Sequence, residues 1–166
     1  MRPTASSDTR WAEIDLDIKV WTIPAERMNK RREHRIPITE QAIALLETMQ
    51  PISGHREFVF PSDRDPNKPC NSQTANMALK RMGFAGRLVS HGLRSLASTT
   101  LNEQGFEPDL IEAALAHVDD NQVRSAYNRT DYLERRIPMM TWWSRHIEEA
   151  AKGSLSVTGT KQLKVI

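Results

Sequence analysis

From Ser90 to Tyr127 the chain reads SHGLRSLASTTLNEQGFEPDLIEAALAHVDDNQVRSAY, and this stretch constrains the fold more than any other. Ser90 is of the type that caps a helix start, and Gly105 of the type that stops one in a left-handed conformation. Between them Leu93, Leu96, Ala97 and Leu101 recur at helical spacing. A helix is therefore predicted whose opening carries His91 and Arg94 on one face. A helix start offers unpaired backbone N–H groups, a guanidinium offers a planar fork of donors, and an imidazole beside them moves a proton near neutral pH. That combination suits chemistry at a phosphate. After Gly105 a second helix is predicted from Pro108 to Ala116, with proline in its first turn and Leu110, Ile111, Ala114 and Leu115 facing inward. It ends at His117. Tyr127 follows ten residues later, in a short segment from Gln122 to Asn128 where Val123, Ala126 and Tyr127 can share a face.

The ordered set HGLR, LAH and AYN resembles the tyrosine recombinases, specifically the prophage-type integrases of the phage integrase family. The phrases WTIPAERM, IPIT, FVFPS and YLERR followed by TWW extend the resemblance from residue 1 to about residue 150. A lone His-x-x-Arg carries little information; the set in this order and spacing is specific. The resemblance implies an α+β fold, a mostly helical catalytic domain with a small three-stranded antiparallel sheet near its N-terminus. On this reading residues 1–150 are a C-terminal catalytic domain lacking its first helices and an upstream DNA-binding domain. Residues 151–166, with Gly, Ser and Thr and no clear period, are a flexible tail.

The resemblance also assigns roles. Tyr127 is the nucleophile, Arg94 and Arg2 neutralise the nonbridging phosphate oxygens, His91 assists proton transfer at the tyrosine, and His117 hydrogen-bonds the phosphate. A lysine on the hairpin between the second and third strands protonates the leaving oxygen. Two positions depart from the family pattern. Arg2 and Trp11 fit the segment around the first catalytic arginine, but Ala5 stands where a glutamate is expected. The expected lysine position is Asn29, with Lys30 beside it, so Lys30 takes that role only if the turn shifts.

Composition bounds these readings. The chain has 166 residues, enough for one core, and its 39% hydrophobic and 27% charged residues are those of a globular protein. No apolar run is long enough to cross a bilayer, and the N-terminus lacks the apolar core of a signal peptide. One cysteine, Cys70, excludes an intramolecular disulfide and fits a reducing compartment. A net charge of +2 argues little about nucleic acid, but Arg27, Lys30, Arg31, Arg32 and Arg35 crowd residues 27–35 against a single acid, Glu33. These five are the candidate DNA-binding residues. The histidines His34, His55, His91, His117 and His146 form no zinc spacing, and no phosphate-binding glycine loop or nucleophile elbow occurs. No metal and no cofactor is expected.

Around the central stretch, alternating runs at 13–17, 20–23 and 34–38 predict the three strands, the basic cluster lying between the second and third. Thr39 is expected to cap a helix from Glu40 to Met49 that turns Ile43, Leu45, Leu46 and Met49 inward and is closed by Pro51. Asn71 or Ser72 is expected to cap a further helix ending before Gly83; Lys80, Arg81 and Arg87 around it read as solvated surface. Thr130 is expected to cap a long amphipathic segment, kinked or restarted at Pro138, with Leu133, Ile137, Met140, Trp143 and Ile147 covering the core.

As the resemblance implies, the partners are double-stranded DNA attachment sites, other copies of the chain in a homotetramer on DNA, and accessory DNA-bending or excision factors, with no membrane. The location is the bacterial cytoplasm, at the nucleoid. Ala5 and Asn29 support a rival: a catalytically inactive integrase remnant that keeps a DNA-binding or protein-interaction surface. The low net charge leaves a third: a small helical interaction domain unrelated to DNA.

Overall fold

The computed structural model describes residues 7–28, 31–116 and 132–153. Two units make up the chain, Met1–Leu93 and Arg94–Ile166. The first is built on an antiparallel sheet of order β1-β2-β3, with β1 at Ile14–Asp15, β2 at Val20–Ile23 and β3 at His34–Pro37. Trp21 lies opposite Ile14 on one side and Ile36 on the other, so β-branched and aromatic residues meet across the ladder. The tight β1–β2 connection follows from Asp15, whose Oδ1 accepts the N–H groups of Asp17 (3.0 Å) and Ile18 (3.1 Å), and from Lys19, which takes a left-handed conformation at φ 55°. Pro37 is tolerated because Ile38 N–H bonds to Lys19 O at 2.8 Å. Pro37 then falls where its missing donor faces away from β2. The first expected strand is shorter than its alternation suggested, since Glu13 belongs to a 3-10 turn over Trp11–Glu13.

Helix α1 runs over Glu40–Ser53. It does not stop at Pro51. Ser53 is buried and fixed from two directions: its Oγ donates to Val59 O (2.7 Å) and its own carbonyl accepts from Trp11 Nε1 (2.9 Å). Val59 N–H in turn bonds to Thr9 O at 3.0 Å. These tertiary bonds draw a further turn through a proline whose cost in a helix interior is about 3 kcal/mol. Leu45, expected inward, is 70% exposed. Helix α2, Thr74–Leu79, leads into a wider turn over Lys80–Phe84 that closes at Gly83, where φ is 90° and a side chain would be strained. Asn71 does not cap α2 directly: its Oδ1 accepts Gln73 N–H at 2.8 Å in the turn just before it.

Helix α3, Ser90–Glu103, belongs to the first unit in its opening turn and to the second from Arg94 on. It ends as expected: Gly105 has φ 78°, and Phe106 N–H reaches back to Leu101 O. Of the leucines expected inward, Leu101 is buried while Leu93 and Leu96 are exposed. Helix α4, Pro108–Ala114, begins with its proline and buries Leu110 and Ile111. It is two residues shorter than expected, because Ala116 turns left-handed at φ 49°.

Helix α5, Leu133–Ala151, is one helix with Pro138 inside it. Only one intrahelical bond is lost there, close to the start. Tyr132 holds the N-cap position, while Thr130, the expected cap, lies outside the described residues. The apolar stripe marks the buried face only in part. Arg136 and Met139 are buried, Met140 and Trp143 are partly so, and Ile137 and Ile147 are exposed. Leu101, Leu110, Ile111 and Met139 form the core of the second unit, with Phe106, Trp142 and Trp143 packed against it. Trp142 meets Phe106 edge-on at 5.5 Å and stacks with His146 at 4.8 Å. Ile111 is fully buried, so Ile111→Ala is expected to lower unfolding free energy by about 2–5 kcal/mol. Urea titration checks this: a lower midpoint at unchanged slope is the expected outcome.

Candidate active site

The first turn of α3 carries His91, exposed, and Arg94, partly buried, three residues apart and so one turn apart on the helix. The start of α3 is fixed by Asn76 of α2, whose Oδ1 accepts Ser90 N–H at 2.8 Å. That bond takes one of the unpaired amides of the helix start and registers His91 against α2. Sequence reasoning missed Asn76, whose position inside a short helix gives no local cue.

The Arg94 guanidinium is held within the second unit. Its Nη2 donates to the carbonyl of Leu115, just past the end of α4. The last carbonyls of a helix have no partner of their own and carry its negative dipole end, which makes them acceptors for a cation. A second arginine reaches the same turn: Nη1 of buried Arg136, from α5, lies 3.3 Å from Ala113 O. A fully buried arginine is rare because its desolvation is costly, and here it meets the carbonyl end of a helix. The cue in the sequence is its place on the α5 face, in register with Tyr132, Met139 and Trp143.

The basic cluster separates into two kinds of residue. Arg27 is held inward, its side chain 14% exposed, paired with Glu13 and, at 2.8 Å, with Asp8. Trp21 Nε1 donates to the second oxygen of Glu13 at 3.2 Å. Burial opposes the Arg27 charge, but the hydrogen bond and attraction of Glu13, with those of Asp8, outweigh it and leave its pKa raised. Arg31, with φ 49°, Arg32 and Arg35 are exposed, and Arg35 lies on β3 opposite Thr22. Arg2, Ala5, Asn29, Lys30, His117 and Tyr127 lie outside the described residues, as does the segment from Gln122 to Asn128. Among the described residues no group of three His, Cys, Asp or Glu is placed to hold a metal ion, and no helix is long and apolar enough to cross a membrane.

Residues 1–134 match the phage integrase family, a span that takes in both α3 and Tyr127. The chain belongs to that family. The integrase chain is 56% identical to prophage integrase IntA of Escherichia coli K12 over 165 residues, covering 99% of its own length and 40% of that protein's. It is 37% identical to the integrase of Enterobacteria phage P4 over 155 residues (84% of the chain, 35% of that protein). It is also 35% identical to the integrase of Shigella phage Sf6 over 144 residues (86% and 37%). The chain thus spans 35–40% of the length of these relatives. No solved structure matches it. The α+β fold expected of an integrase catalytic core, helices with one small three-stranded antiparallel sheet, is the fold the chain has.

Proposed function

We propose that this chain supplies the catalytic domain, residues 1–150, of an enzyme for site-specific DNA recombination in prophage integration and excision. Tyr127 Oη attacks a DNA phosphorus in line, a 3′-phosphotyrosyl bond forms as the bond to the 5′ oxygen breaks, and the leaving oxygen takes a proton from Lys30. His91 takes the tyrosine proton, Arg94 and Arg2 meet the charge developing on the nonbridging oxygens, and His117 hydrogen-bonds the same phosphate. The bond energy is kept in the adduct for religation, so no metal or nucleotide cofactor is called for. The partners are double-stranded attachment sites, further copies of the chain in a tetramer on DNA, and accessory DNA-bending or excision factors. The setting is the bacterial cytoplasm, at the nucleoid, with residues 151–166 as a tail. The observation that carries this reading is the placement of His91 and Arg94 on one helical turn, inside a span that matches the family and ends beyond Tyr127.

Incubating the protein with nicked duplexes bearing candidate attachment sequences tests it: a denaturation-resistant protein–DNA adduct is expected. Salt-dependent DNA binding without an adduct would favour the remnant that Ala5 and Asn29 suggest. The DNA-binding role is given to Arg31, Arg32, Arg35 and Lys30, with Arg27 bracing the turn that presents them. Arg31→Ala is therefore expected to reduce the slope of log K against log salt by about one, as a lost phosphate contact does. Arg27→Met is expected to leave that slope unchanged while lowering stability by about 1–3 kcal/mol, since it takes the cation from Asp8 and leaves Glu13 its Trp21 donor. Filter binding across a salt series, beside thermal melts, separates the two. A slope change at Arg27 would return it to the DNA face.

A further inference from the structure

We propose that Arg136 is a positioning residue for Arg94, acting through the C-terminal turn of α4. Three observations in the second unit converge on that turn. Arg136, at 0% exposure, places Nη1 at 3.3 Å from Ala113 O. Arg94 donates from Nη2 to Leu115 O, two residues further along the same turn. Between and beyond them the backbone is bent sharply: Leu115 N–H still bonds to Ile111 O at 2.9 Å, while Ala116 N–H bonds to Ala113 O at 3.2 Å and Ala116 sits at φ 49°. A left-handed alanine persists only where its surroundings over-determine it, and a guanidinium on the Ala113 carbonyl is one such determinant. Ala113 O is therefore shared by the turn's own amide and by Arg136, and releasing it frees the carbonyl two residues later that orients Arg94.

A buried arginine that only filled volume would be replaceable by an apolar side chain of similar size without loss, because its desolvation is costly. Arg136 differs in that its donor is spent on a helix end, where the carbonyls carry the negative end of the dipole and Arg94 is a second cation reaching the same turn. The consequence is a relay: α5 holds α4, α4 holds Arg94, and Arg94 then has one preferred direction for its fork before any phosphate arrives. Preorganisation of this kind matters because a donor that must be reoriented during reaction contributes less to the transition state. The catalytic importance of the relay rests on the phosphate-binding role proposed for Arg94; the relay itself does not.

The test is spectroscopic and uses no DNA, so its failure is separate from failure of the strand-cleavage reading, which turns on the adduct. In the full chain labelled with nitrogen-15 arginine, the Arg94 Nε–H signal is assigned by its disappearance in Arg94→Ala. In Arg136→Met, which fills the same space without charge, the Arg94 signal is expected to move toward that of a solvated arginine. Its exchange with water should quicken by about tenfold or more, while the Ile111 amide keeps its protection. Arg136→Lys, which restores a charged donor with a shorter reach, is expected to recover part of the shift. An Arg94 signal unmoved in both variants would overturn the proposal. So would equal loss of protection at Arg94 and Ile111, which is general loosening. If Arg136→Met does not fold, the Lys variant is read alone: a partial shift supports the relay, and an unmoved Arg94 signal sinks it.

Discussion

Tyr127→Phe is expected to abolish covalent attachment to DNA, by on the order of a millionfold or to below detection, while DNA affinity stays within about twofold. The substitution removes one oxygen and no charge. An unperturbed tyrosine has a pKa near 10, so at neutral pH the phenol attacks only with help: a base that takes its proton and cations that steady the charge accumulating on the phosphate. None of that help produces an adduct when the attacking atom is gone, because water attack would leave no protein–DNA bond. Binding, by contrast, is assigned in the proposed reading to the exposed arginines around β3, which the loss of the phenol leaves unchanged. The measurement is adduct yield on a nicked duplex, with retention of the same duplex as the control. An adduct that persists in the Phe variant would remove Tyr127 from the role and direct attention to another nucleophile.

How much of this was legible beforehand depended on whether the deciding contact was local. The sheet was readable because Val20 to Ile23 and His34 to Pro37 are short runs set apart by polar turns and the Asp15 turn is made by neighbours in sequence. His91 and Arg94 were readable for the same reason: their spacing alone puts them on one face. The end of α1 was not, since what carries it past Pro51 is Trp11 and Val59 gripping Ser53, contacts across 42 and 6 positions. The inward face of α5 was read correctly at Met140 and Trp143 but misread one turn earlier, because an apolar count sets Arg136 outside and Ile137 inside. The opposite holds, since the carbonyl end of α4 offers the arginine a partner that the sequence does not advertise. Arg27 misled by the same rule: it reads as one more cation in a basic run, and Glu13 and Asp8, which hold it, lie 14 or more positions upstream. Charge density along a sequence reports which cations exist, and only the fold reports which of them face solvent.

The second large effect is expected at Arg94. Arg94→Ala should slow adduct formation by about a thousandfold or more, and by more than His91→Ala, which should cost about a hundredfold. The difference follows from what can replace each group. His91 is exposed, so in its absence water has access to accept the tyrosine proton, and the loss falls at the lower end of the range for a proton-transfer group. In the proposed role Arg94 would present a planar pair of donors to an oxyanion, and removing even one such donor commonly costs a hundred- to a thousandfold. Arg94→Lys keeps the charge and loses the fork, and it is expected to recover only a small part of the rate. The same residue donates to Leu115 O, so the alanine variant also loosens the end of α4, and a thermal melt must accompany the kinetics. If the melt is shifted but the rate per folded molecule is not, Arg94 is only a brace for α4. A His91 loss larger than the Arg94 loss would mean that proton transfer, not charge neutralisation, limits the step. Small and equal losses at both positions would place the chain with the inert remnants, since neither group would then be touching a phosphate in a reaction.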